Sequence, residues 1–183
     1  MTSIQWPQDF HNSQLSGRGY YSGSAICLRG HVETNHLSPT RDSDDINKRC
    51  AKCGALVLVA CPSCNFRIRG AFHSIAGFTS SVETCPSFCD QCGKAFAWAT
   101  REERIYELEN LLFENEEIEE SNRDQIRANM EHLKNMDLAL REQEKRWLNV
   151  VRITGKTVLT NPRILDLITS LTDAAMRAQM GLH

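Results

Sequence analysis

The sequence predicts an α+β chain in which an N-terminal double zinc ribbon, made of short β-hairpins and zinc knuckles, precedes an α-helical C-terminal domain. Three observations predict it. Three Cys-x-x-Cys pairs, Cys50/Cys53, Cys61/Cys64 and Cys89/Cys92, fall close together. A fourth half-site, C-L-R-G-H, offers Cys27 and His31 just upstream. Beyond residue 100 the apolar residues recur at helical intervals. The expected division is a flexible or extended segment over 1–24, the ribbon over 25–100 and the helices over 101–183.

Composition narrows the function classes. Of the 183 residues, 41% are hydrophobic and 24% charged, as in a soluble globular protein. No apolar run approaches the length of a membrane-spanning helix, so no membrane role is expected. The start, M-T-S-I-Q-W-P-Q-D-F, has neither a basic nor an apolar leader segment. Eight cysteines without such a leader predict metal ligands in a reducing cytoplasm rather than disulfides. Residues 1–100 hold nine Lys/Arg against seven Asp/Glu, and residues 101–183 hold twelve against sixteen. Neither half has the dense basic face on which nucleic-acid affinity usually rests.

Residues 1–24 are rich in Ser, Gly and Gln and read as a mobile tail turning into a strand that leads to Cys27, with Trp6 and Phe10 as lone aromatics. In C-L-R-G-H, Gly30 allows the backbone to turn toward a sulfur. The polar stretch 32–49 reads as the loop of the first ribbon; its Asp42, Asp44 and Asp45 lack the spacing of a calcium loop. C-A-K-C-G has the usual knuckle form, and A-L-V-L-V-A is a β-type run leading into C-P-S-C. N-F-R-I-R-G alternates, placing Phe66 and Ile68 on one face and Arg67 and Arg69 on the other, exposed one. Residues 71–88 predict a hairpin turning at Gly77 with Phe72 and Phe78 inward, and Trp98 packs over the zinc core.

In the second half, Ile105, Leu108, Leu111 and Leu112 mark one helix. After the acidic stretch E-N-E-E-I-E-E, Ser121 caps a second helix with Asp124 in its first turn and Ile126, Met130 and Leu133 on its apolar face. Leu138, Leu140 and W-L-N-V-V-R-I supply further helical material. Asn161 before Pro162 starts a last helix that carries Ile164, Leu167, Ile168, Leu171, Ala175 and Ala178 on one face and ends at Gly181. That face closes the core of its own chain or receives a partner.

Four two-ligand half-sites suffice for two tetrahedral ions of structural Zn2+. Sequential pairing gives Cys27, His31, Cys50 and Cys53 in one site and Cys61, Cys64, Cys89 and Cys92 in the other, bridged by connections of 18 and 24 residues. A cross-brace would instead join the first knuckle to the third. In the first site a water, His36 or Cys85 could stand in place of His31. Cys85 lies outside the Cys-x-x-Cys-Gly form and reads as an extra thiol.

Other chemistry finds no support. T-G-K-T at 154–157 lacks the Gly that a phosphate loop needs, since Val150 stands there. His73-Ser74 has no orienting acid. H-V-E at 31–33 and C-P-S-C match a zinc deaminase only in part.

C-L-R-G-H, C-A-K-C-G-A, A-C-P-S-C-N, R-I-R-G and P-S-F-C-D-Q-C-G-K-A-F-A-W, in that order ahead of a helical tail, resemble a family of uncharacterised bacterial double-zinc-ribbon proteins. The resemblance covers about residues 26–100 and is looser over the helices. It implies that the ligand cysteines are Cys27, Cys50, Cys53, Cys61, Cys64, Cys89 and Cys92, and that Cys85 is additional. F-A-W departs from the commoner aromatic-Pro-Trp. The family implies no established activity.

The expected function is that of a non-enzymatic cytoplasmic protein. Two zincs hold a rigid module, and the partner is another protein or a second copy through the helical domain, with no small-molecule substrate. The alternative is a nucleic-acid-binding module in a regulatory or defence-type system, using Arg49, Lys52, Arg67, Arg69 and Lys94.

Overall fold

A computed structural model describes residues 19–38, 47–79, 85–114, 118–158 and 160–182. Trp6, Phe10, the Asp42–Asp45 run and Glu116–Glu117 lie outside the described residues. The chain divides into two compact units, Met1–Ala99 and Thr100–His183. The first carries an antiparallel sheet and the second is helical, so the architecture is α+β.

The sheet is organised around β1 (Gly19–Cys27), which pairs with β2 (Val32–Leu37), β3 (Val57–Leu58) and β4 (Arg69–Ser74). Strand β1 meets β4 along its first half, as in Tyr20 with His73, and β3 at its end, Cys27 with Val57. Irregularities near Gly23 and Ala25 bend it. The bend brings β2 and β4 together over buried Ser22, whose hydroxyl donates to the carbonyls of both Asn35 and Ala71. No side chain fits at Gly70, where a Cβ would lie 2.3 Å from the Asn35 carbonyl oxygen.

Arg67 and Phe78 are oriented opposite to expectation. Arg67 is buried, only 6% exposed. It lies against Gly23, and its guanidinium donates to the Tyr21 carbonyl at 3.0 Å. The missing side chain at Gly23 and the bend of β1 make the room that period-two patterning does not reveal. Phe78 is 77% exposed, because the turn at Gly77 carries it beyond the sheet. Phe72 is half-buried against Tyr21.

The helical unit runs α1 (Arg101–Phe113), α2 (Glu120–Lys134), α3 (Leu140–Val158), α4 (Pro162–Leu171) and α5 (Ala174–Gln179). Thr100 and Glu103 form a capping box at the start of α1, which buries Ile105, Leu108, Leu111 and Leu112. Helix α2 begins two residues earlier than expected: Glu119 is its N-cap and Ser121 lies inside it. Trp147 and Val150 of α3 are fully enclosed, and Gly155 breaks that helix with a φ of 69°. Asn161 caps α4 by accepting from the Arg163 amide. The last helix is two helices, since Thr172 turns extended and Asp173 caps α5 anew. Ala175 and Ala178 are consequently exposed, and Met176 and Met180 are buried in their stead. Arg101 closes the unit, donating to the carbonyls of Leu133 at 2.7 Å and Leu171 at 3.2 Å, the C-terminal ends of α2 and α4.

Candidate metal centres

Each Cys-x-x-Cys pair sits in the same local frame. The residue before the first cysteine pairs with the third residue after the second: Arg49 with Leu56, Ala60 with Arg67, Phe88 with Ala95. The first cysteine's amide donates to the carbonyl five residues on, as in Cys50 to Ala55, Cys61 to Phe66 and Cys89 to Lys94. The amide four residues on returns to the cysteine carbonyl, from Gly54, Asn65 and Gly93, each at 2.8 Å. This tight return needs a left-handed residue, and all three have positive φ. Asn65 fills a position that glycine fills in the other two, which asparagine tolerates best among ordinary residues.

C-L-R-G-H is one residue tighter. Ile26 pairs with Val32, the Cys27 amide donates to the His31 carbonyl, and Gly30 takes the positive φ. His31 thus reaches the place that a second cysteine holds elsewhere. Its amide also donates to Cys27 Sγ at 3.3 Å.

The knuckles meet in two groups, Cys27, His31, Cys50 and Cys53, and Cys61, Cys64, Cys89 and Cys92, each with its donor atoms within 4.8 Å of one another. Cys27 and Cys53 sulfurs stand 3.7 Å apart, Cys61 and Cys92 3.7 Å, and Cys64 and Cys89 3.6 Å. His31 turns Nδ1 to Cys50 Sγ at 3.6 Å. A tetrahedral ion with metal–sulfur bonds of about 2.3 Å sets its ligands about 3.8 Å apart, and a nitrogen ligand shortens that edge slightly. The spacing is far above a disulfide bond of about 2.05 Å. Each group could hold one metal ion. Cys85 and His36 belong to neither group; the Cys85 thiol contacts the Gly30 carbonyl at 3.5 Å, and His36 packs edge-on to His73.

Before any cation is bound, electrostatics divides the sulfurs, two shifted toward the thiolate and three toward the thiol. Burial opposes ionisation of Cys27, but the amides of Arg29 and His31 and the neighbouring thiols hold it below the usual thiol range. Cys61 is lowered likewise, by the amides of Cys64 and Ser63 against its burial. Burial raises Cys64 above the usual thiol range. Burial pushes Cys89 up to about 12, and the Glu33 side chain, with burial, pushes Cys50 up to about 11. A cation at the centre displaces such protons.

Sequence reasoning missed three contributors. Glu33, next to the first group, acts on Cys50. Asp90, between Cys89 and Cys92, pairs with Arg69 at 3.1 Å, and Arg69 also lies over the Tyr21 ring. The αL role of Asn65 was signalled only by its place after C-P-S-C. Trp98 stacks on Phe96 with centroids 4.7 Å apart, against the cluster of Ile26, Cys61, Ile68 and Cys89. Its indole donates to the Pro86 carbonyl, and its Cβ lies close to Gly30.

Two knuckle pairs, each closing on one candidate ion and followed by a helical unit, define a double metal ribbon with a helical tail. The chain belongs to the family described as "Uncharacterized protein conserved in bacteria (DUF2321)", whose model matches residues 20–177. No curated protein and no solved structure is matched by the chain.

Proposed function

We propose that the chain is a non-enzymatic bacterial zinc protein whose two structural Zn2+ ions hold a ribbon that serves as a protein-interaction or assembly adaptor in the cytoplasm. The observation that carries this reading is the completeness of both donor sets. Each offers four protein donor atoms within 4.8 Å of one another, so a four-coordinate ion held by all of them has no position left for a reacting water. Seven thiolates and one imidazole form a donor set that suits zinc. No helix among the described residues is long and apolar enough to cross a membrane.

Exposed apolar side chains support a protein partner. Ile75 and Phe78, at 72% and 77% exposed, occupy the tip of the β4 hairpin. The helical unit exposes Tyr106 and Met136. The α4 face serves its own unit instead, since Ile164, Leu167, Ile168 and Leu171 are buried there. The nucleic-acid reading loses ground: Arg67 is buried, and Arg69 is engaged by Asp90 and Tyr21.

Cobalt substitution tests the closed-site claim. Tetrahedral thiolate absorption without exchangeable inner-sphere water supports it, and a water-bearing site reopens hydrolytic chemistry. Native mass of wild type against Phe78→Ser tests self-association through the hairpin tip. Binding to single-stranded or duplex oligonucleotides that weakens steeply with salt would favour the alternative.

A further inference from the structure

The two groups differ in how they meet solvent. In the first, Cys27 and Cys50 are buried, and His31 and Cys53 are half-buried. In the second, Cys61 and Cys89 are buried and Cys92 is half-buried, but Cys64 is exposed. It alone of the eight donors is open, and its group holds four sulfurs and no imidazole. Pro62, Ser63 and Asn65, its neighbours in the same knuckle, are exposed as well. Cys89 Sγ stands 3.6 Å across the group from it.

We propose that Cys64 is a peroxide-reactive site, through which oxidation of the second metal group releases its zinc while the first group keeps its own. This rests on the zinc reading above. A zinc-bound thiolate keeps nucleophilic character, and access then decides which sulfur reacts. The Cys64 sulfur attacks one oxygen of hydrogen peroxide; the O–O bond breaks, and the departing hydroxide takes a proton to become water. The resulting sulfenic acid is attacked by the Cys89 thiolate. The S–O bond breaks, a second hydroxide leaves and becomes water with a second proton, and a Cys64–Cys89 disulfide remains. Two thiolates have been oxidised by two electrons and one peroxide reduced. The ion, left with Cys61 and Cys92, dissociates.

The release has a structural consequence. Cys61 and Cys89 are part of the buried cluster with Ile26, Ile68 and Phe96, on which Trp98 packs. Oxidation therefore loosens this cluster. A separate buried cluster, Ala25, Leu37 and Val59, contains none of the second group's ligands.

The test uses the full-length zinc-loaded chain carrying Cys85→Ser, which removes the one exposed thiol outside the groups. Zinc release to a chromogenic chelator and disulfide mapping by mass spectrometry are followed under hydrogen peroxide. The inference predicts release of one of two zincs, in step with a Cys64–Cys89 disulfide. Cys64→His, which keeps a metal donor without an oxidisable sulfur, should slow that release at least tenfold. If this variant binds fewer than two zincs, the disulfide map of the Cys85→Ser chain decides. Loss of both zincs together, a first disulfide among Cys27, Cys50 and Cys53, or unchanged kinetics in Cys64→His overturns the inference. A chain that holds no zinc before peroxide is added overturns the zinc reading itself, and the inference with it.

Discussion

His31 Nδ1 lies 3.6 Å from Cys50 Sγ, the edge that a tetrahedral ion ligated by one nitrogen and one sulfur requires. The shorter turn of C-L-R-G-H makes this contact. Gly30 takes the positive φ one residue earlier than in the other knuckles, so the fifth residue of the motif delivers the donor. Cys85, a rival for this place, contacts the Gly30 carbonyl instead and belongs to neither group.

Metal removal should act on one unit only. The buried core around Cys61 and Cys89 depends on the ligands themselves, whereas the helical unit buries Trp147, Met130 and Ile168 without any metal donor group among its described residues. A strong chelator at mildly acidic pH should abolish ordered ribbon signals from Trp98. A cooperative helical melting transition by circular dichroism should remain. Loss of both together would show that the helices depend on the metals.

Arg67→Ala should destabilise the ribbon by on the order of 2 kcal/mol, because it strips the Tyr21 carbonyl of a charged donor and empties the space beside Gly23. Denaturant unfolding of the zinc-loaded chain measures this. A surface arginine would change stability by less than about 0.5 kcal/mol.

This arginine also marks the limit of what the sequence discloses. The four half-sites were legible because ligand spacing is dictated by turn geometry, and α1 because its apolar residues sit at helical intervals. Arg67, Phe78 and the break at Thr172 were not. Alternation shows which residues share a strand face, but not that β1 bends beside Gly23 and makes the opposite face an interior. It shows equally little about how far a Gly77 turn carries the next side chain. The periodicity of residues 162–178 continues across Thr172, yet Asp173 offers a side-chain cap to the Met176 amide, which competes with a continuous helix. The capping box at Thr100 and Glu103 has a legible sequence signature, T-x-x-E ahead of an apolar run.

Thr100→Ala should cost about 1 kcal/mol of helical-unit stability through loss of that cap. Its hydroxyl meets the Glu103 amide at 3.2 Å while the Glu103 carboxylate takes the Thr100 amide at 2.7 Å. Thermal melts of the two proteins check it, and an unshifted midpoint contradicts it.

Trp147→Ala should cost about 3–5 kcal/mol, since the indole is wholly enclosed in the helical core. Leu171→Asp should likewise unfold the helical unit, because its side chain is buried within that unit. A folded Leu171→Asp chain with altered native mass would instead make α4 an assembly surface.

Zinc per chain after a chelator challenge, compared between wild type and His31→Ala, bears most directly on the two-centre account. Two retained zincs in wild type and one in His31→Ala are the predicted result. Two zincs retained in His31→Ala would contradict it, removing the imidazole from the first centre.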